Sequence, residues 1–234
     1  MRYRLPRERI TSIKDYAIRR VKGQIRFDEF WALRDVSLVV HKGETLGLIG
    51  HNGAGKTTLL KLVARVLKPT LGRVWVKGRV APLLGLGSGF DPELTGRENV
   101  FLNGTLLGST EEDLRRRLDR IVEFAGVGDF IDLPLRRYSS GMMARLGFAI
   151  ATDVQPDILI LDEVFAVGDA EFQQRSAARM EDLRKNGDAI LFVSHGLDSV
   201  ERLCHRVAWL DHGRLRAIGT PADVVEQYKR SAGG

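Results

Sequence analysis

A glycine-rich segment is the part of this chain whose residue types and spacing best suit phosphate chemistry. Residues 50–58 read Gly50-His51-Asn52-Gly53-Ala54-Gly55-Lys56-Thr57-Thr58 and fit the pattern G-x-x-x-x-G-K-[ST]. Glycines let backbone N–H groups curl around phosphate oxygens, and a following helix presents its partly positive N-terminus to the anion. Lys56 can neutralise the terminal phosphates, and the Thr57 hydroxyl can ligate Mg²⁺. The segment therefore predicts a nucleotide-phosphate site that consists of Gly50, Asn52, Gly53, Ala54, Gly55, Lys56, Thr57 and Thr58.

Two adjacent acids follow an apolar run, Ile158-Leu159-Ile160-Leu161-Asp162-Glu163. A carboxylate at the end of a buried strand is costly unless it has a partner, and Mg²⁺ would supply one. We expect Asp162 to hold the metal, directly or through water, and Glu163 to orient and deprotonate the attacking water. Acids are also common where an ordinary strand becomes a loop. We favour a functional role for this pair because it comes after a phosphate loop in the chain.

The elements that must position these residues alternate between strands and helices. We predict strands at 36–40, 45–50, 73–76, 79–83, 158–161 and 189–193 from their short apolar runs. We predict helices from 56 to about 67, within 95–126, from 139 or 140, at 171–185 and at 221–230. The pattern indicates an α/β fold with a mostly parallel core sheet, and the strands at 73–76 and 79–83 indicate an antiparallel portion.

The 234-residue chain has a formal net charge of +6, and this charge is concentrated at its start. Residues 1–26 contain nine Lys or Arg and two acids, so the rest of the chain is nearly neutral. This distribution argues against a broad nucleic-acid-binding surface. No apolar run approaches the ~20 residues that span a bilayer, and no secretory signal is visible. The single cysteine, Cys204, excludes an internal disulfide and fits a reducing cytosol.

A third motif distinguishes between the families that share a phosphate loop. Residues 138–142, Tyr138-Ser139-Ser140-Gly141-Met142, lie 23 residues before Asp162. They resemble the signature sequence of ABC (ATP-binding cassette) ATPases, usually written Leu-Ser-Gly-Gly-Gln. Ser139 and Gly141 match that signature, and the other three positions differ. The resemblance to the family extends over residues 31–230.

Two further residues occupy positions that have roles in the ABC family. Asp169 stands where the D-loop belongs, just after Glu163. His195 follows the predicted strand at 189–193, as the family's switch histidine does. The resemblance implies that His195 contacts the γ-phosphate and holds Glu163 and its water in place.

The ABC resemblance also implies an architecture and a partner. It implies one nucleotide-binding domain over 1–234, with a RecA-like, mostly parallel sheet core, an antiparallel β portion and a helical subdomain at about 95–155. Residues 1–30 would form a basic N-terminal arm or insertion. Two copies would pair head to tail around two ATP molecules with Mg²⁺. Ser139, Ser140 and Gly141 of one copy would then meet the γ-phosphate held by the phosphate loop of the other.

Four segments resemble, more narrowly, the ATPase subunits of polysaccharide, O-antigen and teichoic-acid exporters: 30–36, 83–99, 138–142 and 162–172. This resemblance implies a peripheral subunit on the cytoplasmic face of the membrane. It would drive a multi-span transmembrane subunit that exports a lipid-linked glycan, and no nucleic acid is expected. The alternatives are an ABC transporter ATPase for another substrate, a soluble ABC ATPase acting on nucleic acid, and a P-loop kinase.

One feature of the ABC family is missing from this sequence, and another has two candidate residues. ABC cassettes usually carry a glutamine between the phosphate loop and the signature, whereas this chain has none from Ile25 to Val154. Residues 86–93 take that position. The family also stacks adenine on an upstream aromatic residue, for which Phe27 has the spacing of a compact cassette. Tyr3 replaces it if residues 5–30 are an insertion, and we favour Tyr3.

Overall fold

The structure is a computed structural model that describes residues 1–6, 27–83, 89–162, 170–194 and 196–232. Its strands are β1 (Arg2–Pro6), β2 (Phe27–Trp31), β3 (Thr45–Ile49), β4 (Val80–Leu83), β5 (Ile158–Asp162), β6 (Ala189–Val193), β7 (Arg206–Asp211) and β8 (Arg214–Gly219). Its α-helices are α1 (Lys56–Val63), α2 (Gly96–Leu106), α3 (Glu111–Ala125), α4 (Ser140–Asp153), α5 (Ala170–Lys185), α6 (Leu197–Leu203) and α7 (Pro221–Ala232).

A six-stranded sheet with the order β4-β5-β6-β3-β7-β8 forms the centre of the fold. The strands from β4 to β7 pair in parallel, and β8 returns antiparallel to β7. A separate antiparallel ribbon is formed by β1 and β2. The predicted α/β fold with a mostly parallel sheet and an antiparallel portion is therefore confirmed.

Successive residues of the central strands face opposite sides of the sheet and are buried on both. Leu159 and Leu161 of β5 share a buried cluster with Phe172 of α5. Ile160, between them, belongs to the opposite cluster with Leu60 of α1. Burial on both faces explains why these strands read as continuous apolar runs. The glycine-rich segment follows β3, and Asp162 ends β5. Because the two strands run in the same direction, both features lie at the same edge of the sheet.

Helices α2, α3 and α4 surround a core of their own, which includes Val100, Ile121 and Leu146. Thr95 and Glu98 form a reciprocal capping box at the start of α2, and Thr110 caps α3. Such caps satisfy N–H groups that lack intrahelical partners. The bounds of these helices agree with the predicted helical stretch, while the division into an arm at 1–30 and a subdomain at about 95–155 stays a prediction.

Four local predictions were wrong. Residues 36–40 and 73–76 are not strands, and 79–83 forms an edge strand (β4) that is parallel to β5. Val36, Leu38 and Val40 do pack against the core in alternation, but the segment pairs with no strand among the described residues. The antiparallel portion instead comprises the β1–β2 ribbon and β8. Helix α1 ends at Val63 rather than near residue 67, because Arg65 adopts a left-handed φ of 60°.

Several predicted features lie outside the described residues. These are residues 7–26 of the predicted basic arm, residues 86–88 of the loop at 86–93, and Glu163, Asp169 and His195. Asp162 is described through its backbone. Within the described ranges, no helix has the length and apolar character that a membrane crossing requires.

Candidate active site

The glycine-rich loop connects the end of β3 to the start of α1, as the motif predicts. Its first glycine, Gly50, has φ 145°, and a Cβ there would lie 2.1 Å from the backbone oxygen of Leu210. Gly55 has φ 106°, and its Cβ would lie 2.6 Å from the backbone oxygen of Ala32. Any side chain at either position would therefore force the backbone apart, so the loop shape depends on glycine.

Lys56 opens α1, and its side chain folds back into the loop that precedes it. The residue is buried, and its Nζ donates hydrogen bonds to the backbone oxygens of Gly50 at 2.7 Å and His51 at 3.1 Å. A buried ammonium group must have polar partners, and these carbonyls provide two. The arrangement holds a positive charge inside the curve of the loop, where an anion would sit.

A cavity of about 400 Å³ opens over this loop. The loop side of the wall comes from Asn52, Gly53, Gly55, Lys56, Thr57 and Thr58. The facing side comes from Tyr3 and Phe30 of the β1–β2 ribbon and from Ala32. The cavity therefore combines a phosphate-binding loop with two aromatic side chains, which suits a nucleoside triphosphate.

The register of the ribbon explains why the two aromatic residues lie together. Tyr3 and Phe30 are directly opposite each other in the antiparallel pair, so their side chains share one face. Phe30 is 54% exposed on that face. Phe27 lies three residues along β2 from Phe30, a distance of roughly 10 Å. The structure thus brings Tyr3 to the phosphate loop.

Contacts around Arg2 and Met1 hold the ribbon in this position. The Arg2 guanidinium pairs with Glu29 at 2.6 Å and lies over the ring of Trp31, 5.4 Å from its centroid. The terminal ammonium group of Met1 donates to the Leu33 oxygen at 2.6 Å. These contacts join the first residues of the chain to the segment that leads into the core.

The oxygen ligands available near the loop fit Mg²⁺. Asp162 ends β5 beside Val193 of β6, and β6 is in turn the neighbour of β3. Its backbone therefore lies two strand spacings, roughly 10 Å, from the strand that leads into the loop. Thr57 lies in the first turn of α1 and lines the cavity. A hydroxyl and a carboxylate are hard oxygen donors of the kind that Mg²⁺ prefers.

The motif at 138–142 starts helix α4. Ser139 is the N-cap, and its hydroxyl accepts a hydrogen bond from the Met142 N–H at 3.1 Å. Ser140 and Gly141 form the first turn, where N–H groups have no intrahelical carbonyl to bind. None of the three lines the cavity in the part of the chain that the structure describes. One copy therefore does not bring this helix start to its own phosphate loop.

Tyr138 was not predicted to have a role of its own, and the structure gives it one. Its ring is buried, its hydroxyl donates to the Phe130 oxygen at 2.8 Å, and burial raises its pKa to about 12. The hydroxyl also fills the space beside Gly96, where a Cβ would lie 2.2 Å away. The tyrosine therefore anchors the chain immediately before the N-cap of α4. This contact gives a physical reason for a tyrosine in place of the usual leucine.

Two more residues of the site region were missed by sequence reasoning. Phe30 lines the cavity because of a pairing register that links residues 27 positions apart. His51 contacts Asp211, which lies 160 positions further along the chain. The sequence offered no local signal for either contact, since each one depends on how distant strands are arranged.

A phosphate loop between a parallel strand and a helix, facing an aromatic ribbon, defines a P-loop nucleotide-binding protein. The sequence profile of the ABC transporter family matches residues 33–166, more than half of the chain. The chain belongs to the ABC transporter family. This result confirms the predicted ABC-type ATPase.

Within the ABC transporter family, the chain is similar to ATP-binding proteins of export systems. The chain is 53% identical over 203 residues to an O-antigen export system ATP-binding protein, RfbB, of Klebsiella pneumoniae, and this match spans 87% of the chain and 82% of the relative. It is 42% identical to a teichoic acids export ATP-binding protein, TagH, of Listeria monocytogenes, over 87% of the chain and 60% of the relative. An ATP-binding subunit of an ABC transporter has a similar structure, with a TM-score of 0.76 and 28% identity over 85% of this chain and 87% of that one.

Proposed function

We propose that this protein is the ATP-hydrolysing subunit of an ABC transporter that exports a lipid-linked polysaccharide of the O-antigen, capsule or teichoic-acid type. The observation that carries the proposal is the site itself: a phosphate loop with its buried lysine faces two aromatic side chains across one cavity. The similarity to the O-antigen and teichoic-acid export proteins supports the substrate class.

Hydrolysis uses residues at the common edge of the sheet. Glu163 follows β5 directly and acts as the base that takes a proton from the attacking water. His195 holds that water and the γ-phosphate, and Asp169 of the D-loop contributes to nucleotide binding. Asp162 and Thr57 hold Mg²⁺, which neutralises charge on the β- and γ-phosphates when bound.

The active site is completed by a second copy of the chain. The first turn of α4, with Ser140 and Gly141, presents N–H groups suited to an anion, yet it does not line the cavity of its own copy. A head-to-tail pair places this turn against the γ-phosphate bound by the partner copy. Loss of the γ-phosphate then removes the charge that holds the pair closed, so hydrolysis drives opening.

The subunit works from the cytoplasmic face of the membrane, bound to a multi-span transmembrane subunit that handles most of the glycan. To test this, the protein is purified from its native membranes, and the co-purifying proteins and lipids are identified by mass spectrometry. A multi-span membrane protein together with a polyprenyl-linked glycan is the expected result. Recovery with ribosomes or nucleic acid would instead leave the ATPase chemistry intact and refute the transporter role.

Tyr3 stacks on the adenine ring of ATP, and Phe30 extends the same aromatic surface. Aromatic stacking contributes about 1–3 kcal/mol per base. We expect Tyr3→Ala to weaken ATP binding roughly 5-fold to 150-fold, and Tyr3→Phe to retain most of the affinity. Titration calorimetry on the Glu163→Gln background, in which hydrolysis is blocked, measures both values.

Inorganic tripolyphosphate provides the control because it has no base. Its affinity should be the same for the Tyr3→Ala variant and the parent protein if the loop is intact. Phe27→Ala tests the alternative platform on β2. A loss of ATP affinity in Phe27→Ala, with none in Tyr3→Ala, would assign the adenine to Phe27 instead.

A further inference from the structure

Three potential metal ligands meet where the phosphate loop contacts the turn between β7 and β8. The Nε2 of His51 lies 3.2 Å from the Oδ1 of Asp211, and the Nε2 of His212 lies 3.7 Å from the same oxygen. All three ligand atoms lie within 4.8 Å of one another. A single ion pair needs only one imidazole, whereas here two imidazoles face the same carboxylate oxygen.

The tautomer of His51 is fixed by its neighbour. Its Nδ1 lies 2.7 Å from the Asn52 backbone oxygen, and a carbonyl can only accept, so Nδ1 carries the proton. The Nε2 then faces Asp211 either as the N–H of an imidazolium or as a lone pair directed at a cation. A backbone carbonyl that accepts a hydrogen bond from the Nδ1–H group is the usual outer contact of a metal-binding histidine.

The Asp211 carboxylate is held in place by a further contact. Its Oδ2 accepts a hydrogen bond from the Arg216 Nε at 2.9 Å, which leaves Oδ1 facing the two imidazoles. A carboxylate oxygen that is oriented in this way can act as a metal ligand.

The backbone of the β7–β8 turn holds His212, the third ligand, beside Asp211. Asp211 pairs with Arg214 across a two-residue turn, in which His212 has φ 45° and Gly213 has φ 73°. Positive φ at both central residues is typical of a tight hairpin turn of type I′. The Gly213 N–H donates to the Ala54 oxygen at 3.0 Å, so the turn is tied to the phosphate loop.

Two of the three distances between ligand atoms are close to those of a small tetrahedral site. Zinc bonds of about 2.0–2.1 Å to nitrogen and oxygen place neighbouring ligand atoms roughly 3.3–3.4 Å apart. The two contacts to Asp211 Oδ1, at 3.2 and 3.7 Å, lie on either side of this value. The side chain of His212 is 81% exposed, so it can rotate to complete the geometry.

We propose that His51, Asp211 and His212 form a binding site for a transition-metal dication of the zinc type, with water as the remaining ligand. Two imidazoles and one carboxylate are the donors that such an ion takes in three-ligand sites. The ion cross-links the phosphate loop to the β7–β8 turn. The nearby Arg216 guanidinium repels a dication, so we expect it to weaken the affinity of the site for the ion.

The test uses full-length protein without a histidine tag, stripped of metal and nucleotide and titrated with Zn²⁺ in a calorimeter. We expect one ion per chain, and Co²⁺ should give the visible absorption of a low-coordinate histidine site. His212→Asn should weaken binding by at least roughly tenfold, as loss of one of three ligands requires. Asparagine tolerates the positive φ at this position, so the turn is preserved.

His41→Asn is the matched control, because it removes an exposed histidine from another part of the chain. Cys204 does not compete for metal, since burial raises the pKa of its thiol to about 12 and keeps it protonated. Equal Zn²⁺ affinity in the wild type and His212→Asn, or no stoichiometric binding at all, would overturn the proposal. His51 and Asp211 would then form an ion pair without metal.

Discussion

Replacing Glu163 with glutamine should make ATP turnover very slow while the protein still binds ATP. Glutamine keeps the size of the side chain but cannot accept the proton of the attacking water. General-base catalysis contributes about 10²–10⁴-fold to a rate, so we expect turnover to fall by roughly that factor. Without hydrolysis the γ-phosphate remains, and the closed pair should accumulate. Phosphate release measures the first effect, and size-exclusion chromatography with ATP measures the second.

Glu171→Gln is the matched control for this substitution. It removes an acid eight residues further along the chain, on α5, where the side chain is exposed and 3.9 Å from Arg175. An exposed pair of this kind contributes little to stability, so turnover should stay at the wild-type level. Normal turnover in Glu163→Gln would remove this residue from the catalytic role. Monomeric Glu163→Gln with ATP bound would leave the base in place but contradict the head-to-tail pair.

Local sequence signals were sufficient to predict the strands and helices that carry the phosphate site. The strand before Gly50, the helix that starts at Lys56 and the start of α4 at Ser140 all have short-range causes. These causes are apolar runs, obligatory glycines and an N-cap serine. They act within a few residues, so they can be read from the sequence directly.

Strand pairing was the feature that the sequence did not specify. Residues 36–40 alternate between half-buried and exposed positions as a strand would, yet the segment pairs with no described strand. The Tyr3–Phe30 pair and the His51–Asp211 contact depend equally on long-range arrangement. A pattern of period two specifies which side chains are buried, but the partner strand is chosen by the whole fold.

Replacing Lys56 with alanine should remove most of the affinity for ATP. The lysine Nζ is held inside the loop by the backbone oxygens of Gly50 and His51, which places its charge where the phosphates bind. Hydrogen bonds to charged groups contribute about 1.5–3 kcal/mol each, and one or two to phosphate oxygens correspond to a roughly 10-fold to 10⁴-fold change in affinity. Titration calorimetry with ATP and Mg²⁺ measures this change.

The fold should tolerate this substitution, because alanine favours the helix and water can reach the two carbonyls through the cavity. Lys61→Ala is the control: it removes an exposed lysine from the same helix, at the end far from the phosphates. Its affinity for ATP should equal that of the wild type, which separates the position of Lys56 from a general loss of positive charge. Equal weakening in both variants would mean that long-range charge holds the nucleotide. Unchanged affinity in Lys56→Ala, with an unaltered melting temperature, would contradict the assignment of the phosphate site.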